Sequence, residues 1–452
     1  MRSPPRGDPC TVRPMGRRAD FSLTASPGSL LAVADSASGA RIVDEDGRSY
    51  IDACGGAMVM SLGHCHPRLV EVVQRQVAEL SFTYRFSFRN GPMLELAEEL
   101  RGVSPLADTW CFFNSSGSES VESAIQLALR YWQLRGKPGK TDLISRWPSF
   151  HGSTLGALSL SGSRWRGFYE PILAKHPVAP VPNADIRRRR EPAAETEWAI
   201  GELEDALARR GAQTVAAVVI EPVTGASGAA IAPPEGYIAE LRRVCDRHDV
   251  LLVFDETITA FGRTGEWFAA CHWPDALPDI ITFAKGVTSG IVPFSGVLVS
   301  GPVAELFEES PEGFPYGHTF SGYPLGCAVA AEAIRVIRDE DLVAESRRKG
   351  ALLRARLDLL ASASPHVGDV RGLGLLQGIE LVADRETLAP VPGAAARLVK
   401  ACRERGLMIY SCPTPNGATT IEAVMLAPPL TVADAELDEI AAILGDALAA
   451  VA

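Results

Sequence analysis

The stretch Val250-Leu251-Leu252-Val253-Phe254-Asp255-Glu256 holds five consecutive apolar residues closed by two carboxylates. Such a run is too short for a helix. It is apolar on both faces, which suits a strand only when both sides are covered. The same pattern recurs at 109–114, 142–146, 215–220, 279–283 and 295–299. Between these runs, 119–134 and 236–248 carry apolar residues at three-to-four-residue spacing, the period of a helix. Together they predict an α/β core over 65–330, a mostly parallel sheet with helices on both faces. Over 331–452, strand-like pieces at 373–381 and 424–427 alternate with helical stretches at 342–360, 394–405 and 434–449, which predicts a smaller α+β lobe. The segment 21–64 is expected to join that lobe. Residues 1–20, rich in arginine and proline, are expected to form a disordered tail.

Composition narrows the function. The chain has 452 residues, 46% hydrophobic and 22% charged, with a mean hydropathy of +0.07. No run of about 18 apolar residues exists, so a membrane span is not expected. A net charge of −11 disfavours a nucleic-acid-binding body. The first eighteen residues contain no apolar stretch of the secretory kind. Nine cysteines without a CxxC pair suggest reduced thiols and a cytoplasmic location rather than disulfides or a zinc site. The basic run at 187–190 reads as a surface loop in preference to a docking site. Only six lysines are present, so chemistry needing a primary amine has few candidates.

Ligands of open α/β sheets sit beyond the carboxyl ends of the strands, and four such ends stand out. Asn114-Ser115-Ser116-Gly117-Ser118-Glu119 lies between a strand and a helix. Its small residues, hydroxyls and free helix-start N–H groups suit a phosphate, although Ser116 with Glu119 also reads as a plain capping box. Asp255-Glu256 places two carboxylates where burial demands partners. No His or Cys adjoins them in sequence, so no metal is expected, and a turn-capping role for Asp255 stays open. Phe283-Ala284-Lys285-Gly286 puts a lysine at a strand end, where desolvation would free its amine for attack on a carbonyl. Phe150-His151-Gly152 offers an aromatic face beside a donor, or simply a core Phe. One ligand would use all four ends at once: pyridoxal phosphate, with its phosphate, flat ring, basic ring nitrogen and aldehyde.

The order of these motifs resembles the class III, omega-type aminotransferases of the fold-type I pyridoxal-phosphate architecture. The likeness runs from about residue 30 to the C-terminus. It includes Leu62-Gly63-His64-Cys65-His66-Pro67, Ile220-Glu221-Pro222, Phe261-Gly262-Arg263-Thr264-Gly265, Gly317-His318-Thr319-Phe320-Ser321-Gly322 and Arg371-Gly372-Leu373-Gly374. The resemblance implies a ping-pong aminotransferase that moves an amino group from an amino acid or amine to a 2-oxo acid or aldehyde. In this likeness Lys285 forms the internal aldimine and shuttles the proton between substrate Cα and cofactor C4′, while Asp255 keeps the pyridine nitrogen protonated. Ser116, Gly117 and Ser118 hold the phosphate, Phe150 stacks on the ring, and His151, Glu221 and Thr257 lie around the cofactor. Thr319 reaches the phosphate of a neighbouring subunit, which implies a homodimer with active sites at the interface.

Three departures bear on the substrate. Thr257 stands where relatives usually have Val or Ile, and Ala260 where Gly is commoner. The stretch 408–423 lacks the arginine with which many relatives clamp a substrate carboxylate, and offers Glu422 instead. Arg85 or Arg89, within Phe82-Thr83-Tyr84-Arg85-Phe86-Ser87-Phe88-Arg89, is expected to take over that role. A racemase, decarboxylase or aminomutase on the same scaffold is the alternative reading. A non-catalytic cofactor binder is disfavoured by the joint presence of Lys285 and Asp255. A nicotinamide dehydrogenase is disfavoured too, since Gly372-Leu373-Gly374 lacks the dinucleotide spacing.

Overall fold

The computed structural model describes residues 31–162, 166–188, 190–416 and 419–451. The tail expected over 1–20, and residues 417 and 418 of the stretch without an arginine, lie outside the described residues. The central sheet has seven strands: β1 (Trp110–Asn114), β2 (Asp142–Trp147), β3 (Val178–Pro180), β4 (Val215–Ile220), β5 (Leu251–Asp255), β6 (Ile280–Phe283) and β7 (Ser295–Val299). Their order is β1-β7-β6-β5-β4-β2-β3. Pairs among β6, β5, β4, β2 and β3 are parallel, whereas β7 is antiparallel to both β6 and β1. The six runs read from sequence are all present. Missing from that reading is β3, a three-residue edge strand ending at Pro180, too short to show a period.

The apolar character of both faces follows from alternation along each strand. In β5, Leu252 and Phe254 face one core together with Ile281 of β6 and Ile220 of β4, and that core takes in helices Pro192–Arg210, Tyr237–Arg247 and Pro324–Asp339. Leu251 and Val253 face the other core, which holds Val121, Leu127 and Ala128 of helix Gly117–Leu134 and Phe307 of helix Gly301–Glu308. Most of these side chains are under 5% exposed. At about 25 cal/mol per Å² of apolar surface, such burial on two faces is the main stabilising term of the core.

Three further sheets lie outside the central one, the smallest a two-stranded pairing of Thr414–Asn416 with Thr419–Ile421. Strands Ala34–Ser38, Arg41–Asp44 and Ser49–Asp52 pair antiparallel, and the distant Leu407–Met408 adds in parallel beside Ile51 and Asp52. A second sheet contains Val367–Leu373, Leu376–Leu381, Ala423–Leu426 and Tyr410–Ser411. The single strand expected at 373–381 is therefore corrected. It is a hairpin turning at Gly374 and Leu375, where Gly374 has φ +53° and Leu373 pairs with Leu376. The apolar run continues straight through the turn, which hid it. Helices Leu342–Ala363, Ala394–Glu404 and Asp434–Val451 complete this part. No helix among the described residues is long and apolar enough to cross a membrane.

Candidate active site

A cavity of about 380 Å³ opens at the carboxyl ends of β5 and β6 and is walled by the segments after β1, β2 and β4. Ser116, Gly117, Ser118, Phe150, His151, Glu221, Asp255, Thr257 and Lys285 all line it. The four strand ends that stood apart in sequence thus converge on one space.

Alternation on β5 separates the two carboxylates. Asp255 shares the face of Val253 and enters the cavity, while Glu256 points the opposite way. There Glu256 accepts from the N–H groups of Ala269 and Ala270 (2.9 Å for the latter) and from Thr259 Oγ1. Its burial pushes its pKa up to about 7. Asp255 Oδ2 lies 2.8 Å from His151 Nδ1, and Oδ1 accepts from Thr282 Oγ1 at 2.9 Å and from the Thr257 N–H at 3.1 Å. Burial raises the Asp255 pKa, but the His151 contact and the other hydrogen bonds outweigh it, and the net shift is downward. The group is therefore a carboxylate at neutral pH. A carboxylate only accepts, so His151 Nδ1 carries the proton. The turn-capping role left open for Asp255 is also real, through Thr257, and coexists with its place in the cavity.

The lysines sort themselves by partner. Lys140 is buried, but its ammonium donates to the carbonyls of Val215 (2.9 Å) and Asp249 (2.6 Å), and Lys349 is buried against the carbonyl of Leu430. Lys285 lines the cavity, and its Nζ forms no hydrogen bond among the described residues. Desolvation lowers its pKa to about 8, against the opposing fields of Glu221 and Asp255. A substantial fraction of the amine is then neutral near pH 8, the form that attacks carbonyls. Its backbone sits at φ +41°, a sparsely populated region for a residue with a side chain and a kind of strain that gathers at functional sites.

Ser116 caps helix Gly117–Leu134, with Ser116 Oγ accepting from Glu119 N–H (3.3 Å) and Glu119 Oε2 accepting from Ser115 N–H (2.8 Å). The capping reading and the anion-cup reading both hold, because the cap fixes a helix start whose dipole faces the cavity. A Cβ on Gly117 would stand 3.2 Å from Thr257 Cγ2 and 3.5 Å from Ala284 Cβ. The cup is thus pressed onto the ends of β5 and β6. Gly152, at φ +141°, brings its backbone so close that a Cβ would fall 2.5 Å from Ser118 Oγ. Glu221 accepts from the N–H groups of Phe150 (3.0 Å) and Gly225 (2.8 Å), and burial raises its pKa.

Three expected residues lie elsewhere in the chain. Thr319 is exposed and does not line this cavity. Arg85 and Arg89 line a separate groove with Phe86, Phe112 and Phe314, where the Arg85 guanidinium lies 4.5 Å from the Phe86 ring centre. Residues that sequence reading missed include Thr282, paired directly beside Asp255 across β5 and β6, and the wall residues Val59, Thr288, Gly290 and Phe294. A hydroxyl at 282, one position before the last of an otherwise apolar run, was the available signal for Thr282.

The sequence profile of the family Aminotransferase class-III matches residues 24–448. The chain is 37% identical to the "Uncharacterized aminotransferase YodT" of Bacillus subtilis (strain 168), an alignment covering 94% of this chain and 96% of that protein. Among solved structures it is similar to a transaminase from the marine bacterium Virgibacillus, with TM-score 0.88, 33% identity, and coverage of 95% and 97%. It also resembles an amine transaminase from an uncultivated Pseudomonas species in its PLP-bound form, with TM-score 0.87, 31% identity, and coverage of 99% and 100%. The chain belongs to the class III aminotransferases, with their fold-type I architecture. It is an enzyme that transfers an amino group from an amino acid or amine to an oxo acceptor, with pyridoxal phosphate as cofactor. Transamination is favoured over racemisation, decarboxylation or amino-group migration.

The residues present fit that cofactor. The cup at 116–118 has the donors for a phosphate, and a Cβ on Gly117 would press tightly on Thr257. Asp255 is charged and buried, and Lys285 has an unengaged amine.

Proposed function

We propose that Lys285 and Asp255 carry the catalysis, and that Ser116, Gly117, Ser118, Phe150, His151, Glu221 and Thr257 hold the cofactor. The observation that carries this reading is the placement of Lys285, free of hydrogen bonds, in one cavity with the ionised Asp255. Pyridoxal phosphate, when bound, supplies an aldehyde for an amine and an electron-accepting ring. The neutral Lys285 Nζ takes the proton from the substrate Cα. Asp255 would hold a proton on the ring nitrogen, and His151 Nδ1 orients the Asp255 carboxylate. The helix start at Ser116 to Ser118 neutralises the phosphate. Phe150, which lines the cavity, would pack against the ring. A panel of amino donors, scored by half-reaction spectra of the yellow protein, tests this reading and names the donor class.

The working unit in this reading is a homodimer. The groove of Arg85 and Arg89 is flanked by exposed Phe82, Tyr84, Phe86, Phe88 and Phe320, with Phe86 74% exposed. An apolar patch of this kind marks an interaction surface. In the dimer Thr319 reaches the partner's phosphate site, and Arg85 or Arg89 meets the acidic end of the substrate. Sedimentation at micromolar concentration should give twice the chain mass. The large domain of this enzyme is taken as 65–330 and the small one as 331–452 joined by 21–64. A cytoplasmic location is supported by eight free cysteines among the described residues.

A further inference from the structure

Asp52 ends the strand Ser49–Asp52 and is 1% exposed. Both of its oxygens accept from Gly56 N–H, at 3.0 and 2.9 Å. Oδ1 also faces Cys54 N–H at 3.3 Å and the Cys54 thiol at 3.4 Å, and Oδ2 lies 3.1 Å from His64 Nε2. Burial raises the Asp52 pKa, but the hydrogen bonds from His64 and Gly56 outweigh it and the net shift is downward. The backbone gathered by this carboxylate is left-handed at Gly55 (φ +55°), Gly56 (+65°) and Met58 (+59°). The turn closes its own backbone hydrogen bonds, Met58 N–H to Cys54 C=O at 2.9 Å and Val59 N–H to Gly55 C=O at 2.8 Å. Positive φ at a methionine is nevertheless strained, and Asp52 adds the side-chain bonds to Cys54 and Gly56 N–H that hold this conformation.

Beyond this turn the chain enters the active site. Met58 is buried among Cys412, Met425 and Ala427, and Val59 lines the cavity. A Cβ on Gly290, in the same wall, would stand 3.0 Å from Val59 Cγ1 and 2.6 Å from Met60 Sδ. Further along, a Cβ on Gly286 would fall 2.6 Å from Ser61 Oγ, and Leu62 N–H donates to Ser289 Oγ at 2.9 Å. The far end of the segment is therefore clamped to the turn that carries Lys285, and the near end to Asp52.

We infer that Asp52 is a positioning residue: its carboxylate, backed by His64, fixes the turn that sets Val59 as a wall of the substrate site. This rests on the reading of the cavity as the place where substrate meets Lys285. Asp52 does not line the cavity, so its loss should loosen substrate binding and spare the chemistry.

The test uses the holoenzyme carrying Asp52→Asn, Val59→Ala or both. Its readouts are KM and kcat for an aliphatic amine donor, and cofactor affinity by absorbance titration. Asp52→Asn should raise KM about tenfold, the signature of binding lost equally from the ground and transition states. The kcat and the cofactor affinity should stay within about twofold. Val59→Ala should also raise KM, and the double variant should be no worse than the larger single one, because coupled residues are not additive. An unchanged KM in Asp52→Asn overturns the inference, as do multiplying effects or a parallel loss of KM, kcat and cofactor affinity. If Val59→Ala keeps the KM of the wild type, the fault lies with the reading of the cavity. Should Asp52→Asn not fold, His64→Gln replaces it, with a smaller rise in KM expected and an unchanged KM counting against the inference.

Discussion

Replacing Asp255 with Asn keeps the shape of the side chain and removes its charge. In the native enzyme the carboxylate is held by three donors, His151 Nδ1, Thr282 Oγ1 and the Thr257 N–H. The Asn oxygen can still accept from Thr282 and Thr257. Its amide nitrogen must then face His151, which can accept from it only by moving its own proton from Nδ1 to Nε2, a buried nitrogen with no hydrogen-bond partner among the described residues. That mismatch amounts to one buried hydrogen bond, about 1–3 kcal/mol. It is offset in part because a buried charge has been removed. Folding should therefore survive, with a fall in melting temperature of a few degrees. Catalysis should suffer far more. A carbanion next to nitrogen is stabilised only while the ring nitrogen keeps its proton, and the neutral amide cannot hold it there. Removing one preorganised electrostatic partner typically costs about 3–4 kcal/mol, or roughly 10²–10³ in rate. The assay is the single-turnover half-reaction with a saturating amine donor, followed spectroscopically, alongside a thermal melt and a cofactor titration. A variant that turns over at the wild-type rate would refute the electron-sink role of Asp255.

Three other outcomes are expected. The rate at which apo-protein captures pyridoxal phosphate should rise with pH to a midpoint near the Lys285 pKa of about 8, because the neutral amine is the nucleophile above that value; a flat profile from pH 6 to 9 would contradict the desolvated lysine. Gly152→Ala should weaken cofactor binding by about 1–3 kcal/mol, since the added methyl falls on Ser118 Oγ at an unfavourable φ, and fluorescence titration of the apo-protein measures it. Arg85→Ala or Arg89→Ala should raise KM for acidic oxo acceptors without changing kcat for neutral amines; an unchanged constant in both removes these arginines from the substrate site.

The core strands were legible because each sits between two helical layers and so carries apolar residues on both faces, as Leu251 to Phe254 do. The strand ends were legible because polar residues there, Asp255, Lys285 and Ser116 among them, have no reason of packing to follow a buried run. Direction was not legible. The strand Ser295–Val299 has the composition of its parallel neighbours, and only the path of the chain through 284–294 makes it antiparallel. The hairpin at Gly374 was masked by apolar residues on both sides of the turn. Wall residues such as Val59 and Gly290 come from segments far apart in sequence, so no local pattern marks them. The N-terminal sheet is completed by Leu407–Met408, some 350 residues away, a pairing set by tertiary structure alone.

Borohydride reduction of the yellow holoprotein, followed by peptide mapping, asks directly which amine holds the cofactor. Reduced pyridoxyl label should appear on the peptide containing Lys285, and not on those containing Lys140 or Lys349. Label on another lysine, or none near position 285, would contradict the assignment of the catalytic amine.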